Sequence, residues 1–362
     1  MDFGLSEDQQ LLDETIRSFL ADKVPITRVR ELRNRERVND PAIWKDLAEL
    51  GMTGILIPEE QGGSNLSLLD AALVSQALGY AATPCAFLSS AIMVPVALKA
   101  LGGAKKNDWL AGIASGGLGF GVAVTEVFSV REQAGVLLEA GSLRGKAMMA
   151  IDAVGADLLL VAIGSDTLAV VRADSSGLGM TPLATLDQTR GTTELVFDGV
   201  VAEAVFEKAG AAIDQMLVAG RIALAADVLG CCETLVEQAV EYVKQRKQFE
   251  RVIGSFQAVK HMCAEMIAEV EPARSLLWYA AHSFDALPDE APLMACHALA
   301  HLSEIGRDIA SVATQVHGGI GWTDEQNLHF WFKRIANARH LLGGPEFLRN
   351  QAADLQDLAQ AS

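Results

Sequence analysis

Apolar positions follow a helical spacing at both ends of the chain. Near the start, Ser6 and Gln9 form a capping-box pattern ahead of apolar residues spaced three and four apart. Residues 86–101 are apolar almost all round, which predicts a buried helix. Beyond about residue 207 the helical spacing returns, for example at Val228, Cys231 and Leu235, and continues to the end. The pattern predicts two helical regions with a different structure between them.

The middle of the chain carries short runs of β-forming residues. The runs cover 122–124, 136–138, 158–163, 168–171 and 195–197, and Gly, Ser and Asp residues separate them. Strands at this spacing predict a barrel or a sandwich. We therefore predict an α+β multidomain protein with an N-terminal helical domain over 1–112, a central β-barrel-like domain over 113–206 and a C-terminal helical bundle over 207–362.

Charge and cysteine content exclude several classes of protein. The chain holds 29 Lys and Arg against 46 Asp and Glu, a net charge of −17, which argues against a nucleic-acid surface. Five cysteines without a CxxC motif argue against a disulfide framework and for a reducing cytoplasm. The longest apolar stretch, 216–232, is interrupted by Arg221 and Asp227, so we expect no membrane span.

Two weak motifs are better explained by structure than by chemistry. Gly117, Gly119 and Gly121 precede a strand instead of following one, which argues against a dinucleotide-binding turn. His297 and His301 lie one helical turn apart, but no third ligand stands at a diagnostic distance. We expect these histidines to pack between helices and predict no metal site.

Four longer segments carry more information. They are residues 44–51 leading to the PEEQGG loop at 58–63, AVTE at 123–126, RKQF at 246–249 followed by SFQA at 255–258, and QVHGGIGW at 315–322. In this order, and over nearly the whole chain, they resemble the acyl-CoA dehydrogenase family of flavoproteins. The resemblance implies a helical domain, a β-barrel-like domain and a C-terminal four-helix bundle. It also implies a dimer of dimers with FAD between the β domain and the bundles, one of them a neighbour's.

The resemblance implies a set of FAD-binding residues. Val124 and Thr125 match the strand that touches the flavin ring, while Arg246 and Phe249 match residues offered to the pyrophosphate and adenosine of a neighbouring subunit's FAD. Arginine suits phosphate because its guanidinium forms paired hydrogen bonds. The remaining matched positions are Gln257, Gln315, Gly318 and Gly319. Glu250 stands where the family commonly has Gly.

The family's catalytic base is missing from each position where the resemblance places it. That base is a carboxylate that takes the α-proton of an acyl thioester while the β-hydrogen leaves as hydride to the flavin. The two possible alignments of the C-terminal segment put it at Leu342 or Gly343, and the alternative helix position is Gly220. Glu346 is a weak candidate, because a shift of three or four residues normally destroys the needed geometry.

The β side of the flavin site also departs from the family pattern. Residues 127–131 read VFSVR where the family has a Gly-rich, Ser-containing loop. Met149 and Ile151 replace the Trp and Thr of the next flavin-facing strand, which removes a side-chain donor to the flavin. The resemblance thus favours a half-site subunit of an α2β2 acyl-CoA dehydrogenase, a type that in several bacteria acts on steroid-derived CoA thioesters.

Three other interpretations remain open at this point. The chain could be a self-sufficient dehydrogenase that uses Glu346 or an undetected base, a flavin oxidase or hydroxylase that needs no such base, or a scaffold that binds no flavin. Homo- and heterotetramers both stay open. The expected substrate is an acyl-CoA of unknown acyl group, and the expected electron acceptor is an electron-transferring flavoprotein.

Overall fold

A computed structural model describes residues 4–33, 39–129 and 134–358. Helices at both ends of the chain enclose a mainly antiparallel sheet, which confirms the predicted order of helical, β and helical regions. The boundaries at residues 112 and 206 stay predictions.

The N-terminal region consists of short helices whose ends follow the sequence signals. Ser6 and Gln9 form the predicted capping box at the start of α1, and Gly51, with a φ of 76°, ends the turn after α3. The buried apolar segment begins as a π-helix over Phe87–Met93 and continues as α5. The helices are α1 (Glu7–Lys23), α2 (Ile26–Leu32), α3 (Pro41–Glu49), α4 (Leu68–Tyr80), α5 (Val94–Ala100) and α6 (Lys105–Ala114).

The central sheet has eight strands and stays open. Along the sheet the order is β6-β7-β3-β1-β4-β5-β8, with β2 paired to β3, so the barrel-like region does not close into a barrel. The strands are β1 (Phe120–Ala123), β2 (Gly135–Glu139), β3 (Ser142–Ile151), β4 (Leu158–Ile163), β5 (Thr167–Arg172), β6 (Leu178–Pro182), β7 (Thr192–Val201) and β8 (Ala204–Glu207). A register shift interrupts β3 between Ala147 and Ala150.

The C-terminal region is built on three long helices. These are α7 (Gly210–Gln245), α8 (Gln257–Ala286) and α9 (Ala291–His317), and α10 (Leu328–Ala338) packs on α7 and α9 to complete the predicted bundle of four. A fifth helix, α11 (Pro345–Leu355), lies against α9. A two-stranded hairpin of β9 (Lys247–Gln248) and β10 (Arg251–Val252) joins α7 to α8.

Helix α7 forms the centre of the core. It is long and apolar enough to cross a membrane by length and composition, but 94% of its most apolar window is buried inside the protein. It meets α4 at glycines: a Cβ on Gly79 would lie 2.0 Å from the Asp227 carbonyl oxygen, and one on Gly230 would lie 1.9 Å from that of Gln76. The two backbones therefore approach more closely than any side chain allows.

The three regions meet at a buried ion network around Asp227 of α7. Arg334 of α10 donates from Nε to Oδ1 at 2.8 Å and from Nη2 to Oδ2 at 2.6 Å, and Arg190 of the β6–β7 loop donates to Oδ2 at 3.0 Å. Arg334 also donates to the Thr189 hydroxyl at 2.7 Å and thereby reaches the same loop a second time. The network ties the sheet to the helical bundle.

Candidate functional site

An open cavity of about 600 Å³ lies where α7 and α9 end, beside the β9–β10 hairpin. Five of the eight residues predicted to bind FAD line it: Arg246, Phe249, Gln315, Gly318 and Gly319. The C-terminal ends of helices carry partial negative charge, so the helices themselves do not attract phosphate here. A positive side chain must supply that attraction.

Arg246 is exposed and free to supply the positive charge that attracts phosphate to this cavity. It is the residue that ends α7, its side chain is exposed, and its guanidinium has no hydrogen bond or ion pair with any described residue. Phe249 stands at the tip of the neighbouring hairpin and is 85% exposed. An exposed guanidinium beside an exposed aromatic ring suits a phosphate joined to a nucleoside.

The hairpin tip accommodates Glu250 at the position where the family commonly has Gly. Phe249 and Glu250 have φ angles of 51° and 64°, so both residues of the two-residue turn adopt the left-handed conformation. This is a turn in which glycine is favoured because it has no Cβ. The chain keeps the hairpin despite Glu250 and carries the strain.

The turn after α9 leaves its backbone open to the cavity. Gly318 has φ 67° and ψ −147°, a region that is essentially restricted to glycine. No atom lies within 4 Å of a Cβ built on Gly318 or on Gly319, so a ligand can approach both peptide groups. Gln315 is exposed one turn earlier on α9.

The structure separates the three other predicted residues from this cavity. Gln257 does not line it, and its side chain instead bonds to His261 at 2.9 Å. Val124 and Thr125 lie at the end of β1, where their carbonyl oxygens accept hydrogen bonds from residues 127–129 in a local 3-10 turn. These two residues belong to the β side of the candidate site.

A bulge distorts that β side. Met149 has a φ of 56° within the register shift of β3, while Ile151 is 2% exposed and pairs with Val122 of β1. The backbone N–H of Met148, freed by the bulge, donates to the Glu126 carboxylate at 2.7 Å. Of the predicted departure at 127–131, Val130 and Arg131 lie outside the described residues.

Two of the three positions predicted for the catalytic base, Gly220 and Leu342, meet at one apolar spot. A Cβ on Gly220 would lie 3.0 Å from Leu342 Cδ1 and 3.0 Å from Met93 Cγ. Leu342 is 1% exposed, so its side chain fills the space that faces Gly220. A carboxylate cannot be added at Gly220 without moving these side chains.

The same spot leaves a buried arginine without a carboxylate. Arg221 is 2% exposed and donates to the Leu342 carbonyl at 3.0 Å and to Gln351 Oε1 at 2.9 Å. Burial lowers the pKa of this guanidinium, which indicates that the surroundings compensate its charge poorly. The arrangement fits a site from which an acidic partner is missing.

Glu346, the remaining candidate for the base, stands at the start of α11. It is exposed in the first turn of α11, where a negative charge is favoured by the helix dipole. Leu342, with a φ of 55°, and Gly343, with a φ of 102°, lie in the loop between α10 and α11. A helix-terminal charge is the simpler role for Glu346.

An aromatic contact closes the space between the β side and the base positions. The rings of Phe128, after β1, and Phe347, in α11, lie 6.0 Å apart, and the Arg221 guanidinium lies 5.9 Å from the Phe347 ring.

The residues at the 600 Å³ cavity therefore fit the pyrophosphate and adenosine of FAD. The residues on the β side do not show a comparable fit to its ring system.

Sequence reasoning missed two stacked aromatic rings that line the 600 Å³ cavity. The rings of Tyr242 and His317 stack at 4.4 Å, and His317 Nδ1 donates to the Ala313 carbonyl at 2.8 Å. Burial lowers the pKa of His317, so a neutral ring lines the cavity at pH 7. The helical spacing of Tyr242 from Arg246 was the available signal, because residues four apart share a helix face.

Comparison with known proteins gives a consistent result. The chain matches the acyl-CoA dehydrogenase N-terminal domain over residues 6–117 and the acyl-CoA dehydrogenase C-terminal domain over residues 210–355. It is 31% identical over 358 residues to the acyl-CoA dehydrogenase IpdE2 of Mycobacterium tuberculosis, which covers 96% of this chain and 98% of the relative.

Two solved structures share the whole fold. A Tcur3481–Tcur3483 steroid ACAD variant has a TM-score of 0.88 at 28% identity and covers 98% of this chain and 99% of its own. A chain of the ChsE4–ChsE5 complex from Mycobacterium tuberculosis has a TM-score of 0.89 at 25% identity and covers 100% of both. The chain belongs to the acyl-CoA dehydrogenase family of FAD-dependent oxidoreductases.

Proposed function

We propose that this chain is a partner subunit of a heteromeric acyl-CoA dehydrogenase. In this role it supplies the cavity at Arg246 and Phe249 to the FAD of a neighbouring subunit, and the neighbour supplies the catalytic base. When bound, FAD supplies the hydride acceptor for α,β-dehydrogenation of an acyl-CoA. An electron-transferring flavoprotein is the acceptor we propose for the electrons.

The observation that carries the proposal is the apolar contact between Gly220 and Leu342. Two of the three positions matched to the family's base, Gly220 and Leu342, lie at this contact, and neither residue can accept a proton. The third, Gly343, has no side chain that could do so. Among the described residues, no carboxylate forms an ion pair with Arg221, which is buried beside this contact. The half-site lacks a catalytic base, yet the cavity at the end of α7 keeps its exposed hydrogen-bond donors.

The relatives support the choice of a heteromer and of a steroid-derived acyl group. One similar structure is described as a Tcur3481–Tcur3483 steroid ACAD, and another as a ChsE4–ChsE5 complex. Both descriptions pair two differently named components. We propose an α2β2 tetramer in which this chain and a homologue alternate, with a substrate whose acyl group derives from a steroid.

The distribution of exposed residues agrees with service to a neighbour. Phe249 is 85% exposed at the tip of a hairpin, a position that costs hydration free energy unless a partner or ligand covers it. On the β side of the same chain, the Phe128 and Phe347 rings lie 6.0 Å apart, and Phe347 is 37% exposed. The hairpin tip at Phe249 is the more exposed of the two parts and is accessible to a neighbouring subunit.

The test is FAD retention by the assembled complex. The partner required for this test is a homologue of this chain that carries Glu at the position matching Leu342. Arg246→Ala in this chain should weaken the apparent affinity of the complex for FAD at least tenfold, because a charged hydrogen bond to phosphate is lost. The purified complex should therefore retain less FAD. The fold should not change, since the Arg246 side chain has no partner among the described residues.

Lys244→Ala is the matched control, because Lys244 is an exposed cation two residues away that pairs with Glu241 at 2.7 Å. It should leave FAD retention unchanged. Equal FAD content in the complexes with Arg246→Ala and with Lys244→Ala would contradict the proposal. Turnover of an acyl-CoA by this chain without any partner would instead favour a self-sufficient dehydrogenase.

A further inference from the structure

The hydrogen bond of His317 fixes which nitrogen of its ring carries the proton. Nδ1 lies 2.8 Å from the Ala313 carbonyl oxygen. Because a carbonyl oxygen only accepts, Nδ1 must be the protonated nitrogen. Burial lowers the pKa of His317, so the ring is neutral at pH 7 and Nε2 keeps its lone pair. The ring therefore has one hydrogen-bonding atom left, and that atom is an acceptor.

The free acceptor belongs to the wall of the 600 Å³ cavity. Nε2 has no hydrogen-bond partner among the described residues, yet it is not sealed inside the fold. His317 keeps 5% of its surface exposed, and it lines this cavity. Stacking on Tyr242 at 4.4 Å and the bond to Ala313 hold the ring in one orientation. An acceptor held in this way needs little reorganisation to bind a donor.

The other polar side chains that line the cavity do not impose an acceptor on a ligand. Gln248 and Gln315 each carry an amide, which presents either its oxygen or its nitrogen when it rotates. The Tyr242 hydroxyl both donates and accepts. Arg246 only donates, and the proposed function assigns it to phosphate. Of the described side chains in this lining, His317 is the one that offers only an acceptor.

The surroundings of His317 favour an aromatic base as the donor's carrier. The rings of Phe249 and Phe256 lie 6.1 Å apart at the hairpin side of the cavity, and the stacked rings of Tyr242 and His317 line it as well. Flat aromatic groups pack well among such rings, whereas a ribose is better served by polar partners. Adenine carries a donor, its 6-amino group, at the edge of a flat ring.

We propose that His317 selects adenine in the adenosine part of FAD by accepting a hydrogen bond from the 6-amino group at Nε2. The inference rests on the proposed function, in which this cavity takes the pyrophosphate and adenosine. Hypoxanthine has a carbonyl oxygen in place of the amino group, so two acceptors would face each other and both would stay unpaired. We expect this mismatch to weaken binding about tenfold.

The test compares two flavin nucleotides on the complex of this chain with its base-carrying partner. FAD, or its analogue with hypoxanthine in place of adenine, is titrated into the flavin-free complex, and flavin fluorescence gives each Kd. The wild-type complex should bind FAD about tenfold more tightly than the analogue. Equal affinities would overturn the proposal.

Two variants of His317 assign the selectivity to Nε2. His317→Phe keeps a ring against Tyr242 but removes the acceptor, so it should bind both nucleotides almost equally. His317→Gln supplies an amide that suits either base, so it should bind FAD more tightly than His317→Phe does and still lack selectivity. Tyr242→Phe is the matched control, because it keeps the stacked ring and removes a hydroxyl from the same cavity. Selectivity that survives in both His317 variants, or that is lost in Tyr242→Phe, would overturn the proposal.

Arg246→Ala separates this proposal from the function on which it rests. It should weaken binding of both nucleotides by the same factor, because both carry the same pyrophosphate, and leave their ratio unchanged. Equal weakening without any wild-type preference for FAD would overturn the role of His317 alone. Unchanged affinities in Arg246→Ala would contradict the proposed function and, with it, the place assigned to adenine.

Discussion

Replacing Asp227 by Asn removes the carboxylate that holds two buried arginines together. Asp227 is 4% exposed and accepts three hydrogen bonds of 2.6–3.0 Å from Arg190 and Arg334. Asn keeps the shape but offers only one acceptor oxygen, and its NH2 group faces a guanidinium. Both arginines would then stay buried without their ion-pair partner.

The expected loss of stability is large. Breaking a buried ion pair by removing one partner costs about 3–5 kcal/mol. At about 2.1 cal/mol/K per residue, 362 residues unfold with an entropy near 0.8 kcal/mol/K, so Tm should fall by about 4–7 °C. Asp198→Asn is the control, because its partner Arg144 and Asp198 itself are both largely exposed.

Thermal unfolding followed by circular dichroism gives the comparison. The reasoning predicts a clear fall in Tm for Asp227→Asn and almost none for Asp198→Asn. Equal Tm values for the two variants would refute the idea that the network at Asp227 holds the sheet to the bundle. A fall in Tm that persists at high salt would support it, since buried pairs are screened little.

The pH dependence provides a second readout of the same variant. Burial pushes the pKa of Asp227 up, but the attraction of Arg334 and Arg190 outweighs this effect and holds the pKa below its ordinary value. Such a carboxylate stabilises the fold above about pH 4 and loses this contribution as pH falls through its native pKa. The stability gap between wild type and Asp227→Asn should therefore shrink in acid.

Three further substitutions test other parts of the account. Glu250→Gly should stabilise the chain by about 0.5–1 kcal/mol in urea unfolding, because it relieves the left-handed strain at the hairpin tip. Gly230→Ala should cost about 3 kcal/mol or more in the same assay, since the new Cβ would lie 1.9 Å from the Gln76 carbonyl oxygen, whereas Gly102→Ala, in open space, should change little. Asp152→Asn should reduce the loss of stability that accompanies a rise of pH above about 4, because a buried carboxyl with a raised pKa disfavours folding as it ionises.

Each of these substitutions has an outcome that contradicts it. The strain assigned to Glu250 is contradicted if Glu250→Gly lowers the free energy of unfolding. The close packing of α4 on α7 is contradicted if Gly230→Ala and Gly102→Ala change the free energy of unfolding equally. Parallel pH curves for wild type and Asp152→Asn would show that Asp152 ionises in the native state as freely as in the unfolded one.

Much of the fold follows from local sequence signals. The capping box at Ser6, the apolar run over 86–101 and the run of β-forming residues in β4 act within a few residues, and each formed a helix or strand as predicted. Strand β3 was not among the runs of β-forming residues, because Gly145, Lys146 and two methionines lack β-branched side chains, and only the family resemblance implied a strand at Met149 and Ile151. Its bulge at Met149 depends on neighbouring strands.

The candidate site also has a part that the sequence predicts and a part that only the fold shows. Arg246 and Phe249 could be assigned from a motif because one short segment holds both residues, and the structure places them at a single cavity. The contact of Gly220 with Leu342 joins residues far apart in sequence, so only the fold shows that these two of the three base positions form one apolar spot.

The measurement that tests the central claim most directly is the visible spectrum of this chain, expressed and purified alone, with FAD counted per polypeptide. The account predicts a folded protein with far less than one FAD per chain, which gains flavin and acyl-CoA turnover only when its partner subunit is added. One FAD per chain, bleached by an acyl-CoA without any partner, would contradict it.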